Sequence, residues 1–478
     1  MTKANKPKPD RKRRAPAEKD SGAPSERSRT KPGRAEQVAG RQTAKNDSKR
    51  IPYSANTPEH IDKSLIGARI SRRAADRLRA GHVWVYASDV ESLELGEVAP
   101  GKAPALLPVA DYRGVLLGTA LYSPASQIAL RLVSREAIGE AEWLELLGER
   151  LSDAIDRRVP ELNSKELNSD AFRLCFSEAD EIPGLVVDKY GELVIVQLLA
   201  KGLDSAAVRE RIVSVLRERI KPASILERPD PRIRELEELS APSLEPLYAA
   251  AHKSPLTATQ FRLNGLTFQY DANSGQKTGA FLDQHANYKA AEQYAWKLSP
   301  GGRALDVCTY QGGFALHLAR VSKSVTGIDT SHASLEVAER NLAANRDKYL
   351  PETEVDWVEG DAFQILRDWA AAREQFDTIV LDPPAFAKSK RAVEGALRGY
   401  KELNLRAMQM LKAHGLLVTC SCSHHVSLAE FEGVVAAAAA DAHRRLRRLA
   451  RRGAAPDHPV VLNIPETEYL KCLVLEVE

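Results

Sequence analysis

The stretch GRALDVCTYQGGFALHLA, residues 302–319, constrains the chain more than any other. It reads as a short apolar strand over 304–307, a loop carrying Gly312 and Gly313, and a helix from about Phe314. Glycine permits turns and close backbone approach that other residues resist. A helix beginning after such a loop directs its first N–H groups at whatever lies over the loop. A strand, a glycine loop and a helix opening an α/β unit are the layout of a nucleotide-cofactor site. The spacing is not GxGxxG, which weakens a nicotinamide or flavin reading. A loop that merely packs is the plainer alternative, so the following segments carry the decision.

From about Phe261 strands alternate with helices of 10–15 residues. Strands are expected at 303–307, 324–328, 354–358, 376–381 and 415–420, with helices at 332–345, 362–372, 392–411 and 428–442. A last strand without a following helix is expected in YLKCLVLEVE. The alternation predicts a parallel, doubly wound α/β sheet of Rossmann type. Ligands of such sheets bind at the carboxyl ends of the strands. Those ends carry Asp306 with Gly312 and Gly313, then Asp329, Asp361, Asp382 and Ser421–Cys422–Ser423. Asp329, 23 residues beyond Asp306, suits a pair of ribose hydroxyls. Each polar residue alone also suits a helix cap. Five such ends on one rim are harder to attribute to capping.

A chain of 478 residues exceeds one ordinary domain. With 43% hydrophobic and 28% charged residues it has a soluble globular composition, and no apolar run approaches the ~20 residues of a membrane span. The N-terminus lacks the apolar core of a signal peptide. Five scattered cysteines fit a reducing compartment, so a cytoplasmic protein without membrane partners is expected. Residues 1–50 hold 16 Lys/Arg against 6 Asp/Glu, while the rest holds 52 against 59. The first 60 residues are therefore expected to be a disordered basic tail, either a nucleic-acid arm or a solvated extension.

Residues 61–135 read as a small β-barrel module. Short apolar runs surround the basic helix RRAADRLRAGH, a layout common among RNA-binding modules. A central α/β domain is expected over 140–260. Its Glu178, Asp180 and Glu181 are read as a polar loop rather than a catalytic cluster. The third domain spans 261–478. Its six arginines within 443–452 suit either a phosphate-contacting edge or a solvated face. His424 and His425 lack an evident third ligand, so no metal is expected.

The stretches LDVCTYQGGF, GIDTS and GDAF resemble the first three motifs of class I S-adenosylmethionine-dependent methyltransferases. The resemblance implies S-adenosyl-L-methionine as cofactor. It places Asp329 on the ribose, Asp361 against the adenine, and Asp306 with the Gly312–Gly313 loop facing the methionine part. KTGAFLDQ (277–284), DPPAF (382–386), RGYKELN (398–404), SCS (421–423), DHP (457–459) and YLK (469–471) resemble, in this order, one narrower family. It is the bacterial large-subunit ribosomal RNA cytosine methyltransferases with an N-terminal PUA domain. YSPASQI (122–128) and GHVWVY (81–86) resemble that PUA domain. The resemblance covers about residues 62–478. It implies a ribosomal RNA partner, a homodimer, Phe281, Asp283 and Asp382 at the cofactor, Pro383, Pro384 and Phe386 at the substrate, and Cys422 and Asp382 in catalysis.

The chemistry accommodates that assignment. Carbon 5 of cytosine is a poor nucleophile until a thiolate adds to carbon 6, a role cysteine suits. An acid beside ring nitrogen 3 eases the addition. Cys308 and Cys420 compete with Cys422 for the role but read as packing residues, and Cys175 and Cys472 as core. DPPAF also resembles motifs of guanine-modifying RNA methyltransferases, which need no cysteine. The alternatives are therefore a guanine methyltransferase, or an RNA-binding protein whose methyltransferase-like domain is structural.

Overall fold

The structure, a computed structural model, describes residues 67–96, 103–162, 168–239, 245–251, 254–273, 279–350, 352–387 and 389–478. The expected basic tail, and Lys277 and Thr278 of KTGAFLDQ, lie outside the described residues.

The N-terminal module contains β1 (Gly67–Ile70), α1 (Arg72–Arg79), β2 (Trp84–Tyr86), β3 (Val90–Glu94), β4 (Leu106–Ala110), β5 (Leu116–Tyr122) and β6 (Ile128–Ser134). They form one six-stranded sheet in the order β2-β6-β5-β4-β1-β3, with β1 and β4 parallel. Helix α1 starts where the Ser71 side chain caps the Ala74 N–H. It buries Ala74, Ala75 and Leu78 against Ile70, Leu107 and Leu130 of the sheet and leaves its arginines outward.

Next come α2 (Glu140–Leu162), β7 (Ala171–Phe176), β8 (Leu185–Tyr190), β9 (Leu193–Leu198), α3 (Ala206–Arg219), β10 (Ser224–Glu227), α4 (Pro231–Leu236) and β11 (Tyr248–Ala249). The sheet order is β11-β10-β9-β8-β7. Trp143, Leu147, Leu151 and Ile155 recur at every fourth position and line one side of α2. They pack with Ile212, Val215 and Leu216 of α3 against the sheet. The Glu178–Glu181 loop is polar, as read from the sequence. Glu178 accepts a hydrogen bond from the Trp84 indole at 2.8 Å, and Asp180 pairs with Arg157 and Arg158.

The last part begins with the hairpin β12 (Ala258–Leu263) and β13 (Leu266–Asp271). It continues through α5 (His285–Leu298), β14 (Arg303–Val307), α6 (Gly313–Ala319), β15 (Ser324–Asp329), α7 (His332–Tyr349), β16 (Glu354–Glu359) and α8 (Ala362–Ala371). It ends with β17 (Phe376–Leu381), α9 (Val393–Met410), β18 (Leu411–Ser421), α10 (Leu428–Asp441), β19 (Leu446–Arg452) and β20 (Lys471–Val477). Seven strands run in the order β16-β15-β14-β17-β18-β20-β19. The sheet is mixed: β14 to β18 are parallel, but β20 is antiparallel to both β18 and β19. The expected wholly parallel sheet is corrected at this edge. The arginine-rich stretch is the edge strand β19.

Alternation sorts the strand residues onto two cores. Ala304, Val380, Val418 and Cys420 face a cluster with α5, α6 and Leu342 of α7; Leu305, Val307, Ile379 and Leu417 face one with α8, α9 and α10. Helices on both faces leave the strand ends as the rim where polar groups converge.

Candidate active site

Asp306 lies in β14, one residue before its end, and is fully buried. Its Oδ2 accepts from the Thr309 hydroxyl at 2.6 Å and from the Ala315 N–H at 2.9 Å, so it ties the loop to the start of α6. Its Oδ1 is buried without a hydrogen-bond partner among the described residues. Burial pushes this carboxyl up to about 7. Gly312 has φ +84°, a backbone that favours glycine. Gly313 is required for a different reason from ligand approach: an added Cβ would lie 2.5 Å from Cζ of Tyr288.

Asp329 at the end of β15 is half-buried. It accepts from the Tyr310 N–H and the Ser331 N–H, each at 2.9 Å, which brings it to the glycine loop. Asp361 is exposed and caps α8 through the Gln364 N–H at 2.9 Å. The Phe281 ring meets the Tyr310 ring at 4.9 Å, edge to face.

The DPPAF segment follows β17. The half-buried Asp382 accepts from the Gln284 side-chain amide at 2.9 Å, and the Gln284 oxygen accepts from Asn287 at 2.7 Å. Pro383 is buried and Pro384 exposed. The Phe386 ring packs at 4.8 Å from Tyr400 and 5.8 Å from Phe363.

After β18, Cys422 is half-buried with its Sγ 3.9 Å from the Pro383 carbonyl. The flanking Ser421 and Ser423 are fully buried, and both side chains hydrogen-bond the Tyr400 hydroxyl at 2.9 Å. Ser423 also accepts from the Ala387 N–H at 3.1 Å, and its carbonyl accepts from Lys471 Nζ at 2.7 Å. Cys175, Cys420 and Cys472 are fully buried, with Cys420 opposite Cys472 in the β18–β20 register. Cys308 is half-buried beside the glycine loop, and its thiol is pushed up by burial and by Asp329 and Asp382.

The described motifs of the third domain thus meet on one rim, except DHP. Asp283 accepts from the Tyr469 hydroxyl at 2.5 Å, which joins FLDQ to YLK. DHP instead sits at the junction with the central sheet. Asp457 accepts from the Arg173 N–H at 2.9 Å and from His458 at 2.8 Å, and Arg158 donates to its carbonyl at 2.8 Å. Sequence reasoning quoted Gln284, Tyr400 and Lys471 inside motifs but gave them no task; only their partners far along the chain suggest one.

The arginines of 444–452, four of them in β19, are largely engaged. Arg448 and Arg451 pair with Glu432, Arg445 and Arg447 with Glu478, Arg452 bonds Asn287, and Arg444 donates to carbonyls of 411 and 412. Among the described residues one group could hold a metal ion, namely His414, Glu476 and Glu478 at the opposite end of the sheet. Arg447 already bonds Glu478 there.

Residues 68–135 match the PUA-like domain family, and residues 301–394 match the RNA cap guanine-N2 methyltransferase family. The chain is 34% identical over 404 residues to the ribosomal RNA large subunit methyltransferase I of Alteromonas mediterranea, covering 84% of this chain and 96% of that protein. The protein of the same name from Pseudoalteromonas translucida is 35% identical with the same coverage. That from Tolumonas auensis is 35% identical, covering 82% and 95%. Two solved structures share the fold at TM-score 0.70 and 19% identity, each covering 86% of this chain and all of its own. One is described as a candidate methyltransferase complexed with SAH, the other as a candidate SAM-dependent methyltransferase from Streptococcus mutans.

Proposed function

Because the chain belongs to the ribosomal RNA large subunit methyltransferase I family, we propose that it methylates carbon 5 of a cytosine in large-subunit ribosomal RNA, with S-adenosyl-L-methionine as donor. The observation that carries this reading is the half-buried Cys422 thiol 3.9 Å from the carbonyl of Pro383, the residue after Asp382. That juxtaposition supports a nucleophile and a carboxyl acting on one extruded base.

The residues after β14 suit the donor. Asp306 holds a buried Oδ1 beside the loop that has no hydrogen-bond partner among the described residues. A carboxylate offers about four acceptor positions, and two on Asp329 are taken by backbone N–H groups. When bound, S-adenosyl-L-methionine supplies an electrophilic methyl group for carbon 5 to take.

Cys422 forms a sulfur–carbon 6 bond as Asp382 donates a proton to ring nitrogen 3, and the displaced ring electrons make carbon 5 nucleophilic. After methylation a base removes the carbon 5 proton. The double bond re-forms, the sulfur–carbon bond breaks, and Asp382 recovers its proton. The PUA-like module positions the RNA mainly through its backbone.

One observation favours a guanine-modifying enzyme: the match to the RNA cap guanine-N2 methyltransferase family. It ends at residue 394, so it takes in the cofactor loop and Asp382–Phe386 but stops before Ser421–Ser423 and does not bear on the cysteine. The test is nucleoside mass spectrometry of large-subunit RNA from a deletion strain rescued with wild type, Cys422→Ala or Asp382→Ala. Loss of one 5-methylcytosine, restored by wild type only, is expected. Rescue by Cys422→Ala, or loss of a methylguanosine instead, overturns the cytosine reading. Calorimetric donor binding by Cys422→Ala separates lost chemistry from a lost fold.

A further inference from the structure

Lys471 opens β20, in register with Ser421, and is only 7% exposed. A lysine is seldom taken out of water unless its charge has a partner. Its Nζ donates to the Ser423 carbonyl at 2.7 Å, one residue beyond Cys422. Of the ammonium's three donors, this bond uses one.

Among the described residues, the titratable groups that act most strongly on Lys471 are Cys422, Glu468 and Glu430. Both carboxylates lie on exposed residues, and Glu430 is held by Ser427 in the cap of α10. From the other side Tyr400 faces Cys422, and burial pushes its phenol up, so it stays neutral near pH 7. Asp382 stands one residue before Pro383, whose carbonyl touches the Cys422 sulfur. The thiol therefore lies among a buried cation, a neutral phenol and the proposed acid. Of these, the cation favours the thiolate.

We propose that Lys471 is a positioning residue whose buried ammonium pins the Ser421–Ser423 turn and holds Cys422 as the thiolate. The inference rests on the cysteine reading of the site and deepens it. Only the thiolate adds to an electron-poor ring carbon at a useful rate, and nearby fixed cations stabilise thiolates. Lys471 does this as a fixed charge and not as a proton donor, held in place by its bond to the Ser423 carbonyl. Burial itself lowers the lysine's affinity for its proton, and Cys422 opposes that, so the two groups support each other's charged forms.

The test is alkylation of Cys422 by iodoacetamide in the full chain, followed from pH 5.5 to 9.5 by peptide mass spectrometry. The sulfur–carbon bond forms and iodide leaves, so the rate reports the thiolate. In Lys471→Met the midpoint is expected to rise by about one unit, an approximately ten-fold slower reaction at pH 7. Lys471→Arg, which keeps the charge, restores most of the rate. Tyr400→Phe, which loosens the same turn without removing charge, leaves the midpoint in place. A folded Lys471→Met chain with an unchanged midpoint overturns the proposal, as does an equal rise in Tyr400→Phe.

Wild type alone supplies a second measurement should Lys471→Met fail to fold. The Cys422 midpoint is expected to be lower in the native chain than in urea, and an equal or higher native midpoint overturns the proposal. Alkylation needs neither RNA nor donor, so a wrong choice of target base leaves this readout intact.

Discussion

At the scale of single residues, burial sorts the five cysteines more sharply than any motif does. Cys175, Cys420 and Cys472 are sealed in the core, and Cys308 is disfavoured as a thiolate by burial and its acidic neighbours. Cys422 is half-exposed at a strand end, against the Pro383 carbonyl. Asp382 is aimed by Gln284, which is itself held by Asn287. Gln284→Leu removes the amide that donates to Asp382, a hydrogen bond with a net worth of about 0.5–1.5 kcal/mol. Methyl transfer by Gln284→Leu is expected to slow roughly ten-fold, about 1.4 kcal/mol in the barrier, with donor affinity unchanged by calorimetry. Equal loss of both would mean that Gln284 merely supports the fold. Asp382 and Cys422 could be named as candidates from the sequence because a motif carries each of them. The tasks of Gln284, Tyr400 and Lys471 were not legible there, because their partners lie 98, 23 and 48 residues away.

At the scale of elements, the strand–helix alternation was readable because the inner parallel strands, β14 and β17 above all, are apolar enough to be buried on both faces. Strand β19 was not. LRRLARR sets small apolar residues among arginines in a way that suits a strand or a helix, and only pairing with β20 decides. The hairpin β12–β13 shows a similar limit. Asn341 and Asn345 of α7 take the N–H groups of Gln269 and Thr267 at 2.8 and 2.9 Å, a pairing invisible locally.

Helix α6 carries a consequence for pH. His317 is fully buried, its Nδ1 2.7 Å from the Gly313 carbonyl and its Nε2 3.1 Å from the Asn264 amide. Burial lowers its pKa from 6.5 to about 3. The unfolded chain then binds a proton that the native chain refuses. Stability from this group is complete above pH 6.5 and is lost as pH falls toward 3, at about 1.4 kcal/mol per unit. Asp306, raised to about 7, acts in the opposite sense and adds stability as pH falls from 7 toward 3.8. The two slopes offset each other over the shared range. Urea titrations of His317→Gln should therefore reveal the Asp306 slope, with stability rising from pH 6.5 to 4 relative to the wild-type curve. Parallel curves for the two proteins would contradict the buried neutral imidazole.

At the scale of the whole molecule, the segment from Gly453 to Leu470 touches all three parts of the described chain. Asn463 donates to the Ala80 carbonyl at 3.0 Å and Glu466 pairs with His82 at 3.3 Å, on the N-terminal module. Asp457 is buried against Arg158, Arg173, His285 and His458 at the central sheet. Ala455 donates to the Asp283 carbonyl at 2.8 Å, and Tyr469 to the Asp283 carboxylate, at the rim of the active site. Burial raises the Asp457 carboxyl, but the flanking histidines more than offset this and leave it well below the usual range. Removing one partner of a buried charged set costs about 3–5 kcal/mol. Asp457→Asn is expected to lower stability at pH 7 by about that amount and to split calorimetric unfolding into separate transitions. A single transition at the wild-type temperature would show that the segment does not couple the parts.

The most direct measurement of the central claim is a covalent trap. Large-subunit RNA transcribed with 5-fluorocytidine carries no removable proton on carbon 5, so a cysteine adduct formed during methylation cannot resolve. With S-adenosyl-L-methionine present, a stable protein–RNA species is predicted, and mass spectrometry of the digested complex should place the nucleotide on Cys422. No adduct despite full methylation of unmodified RNA, or an adduct on any other residue, would contradict it.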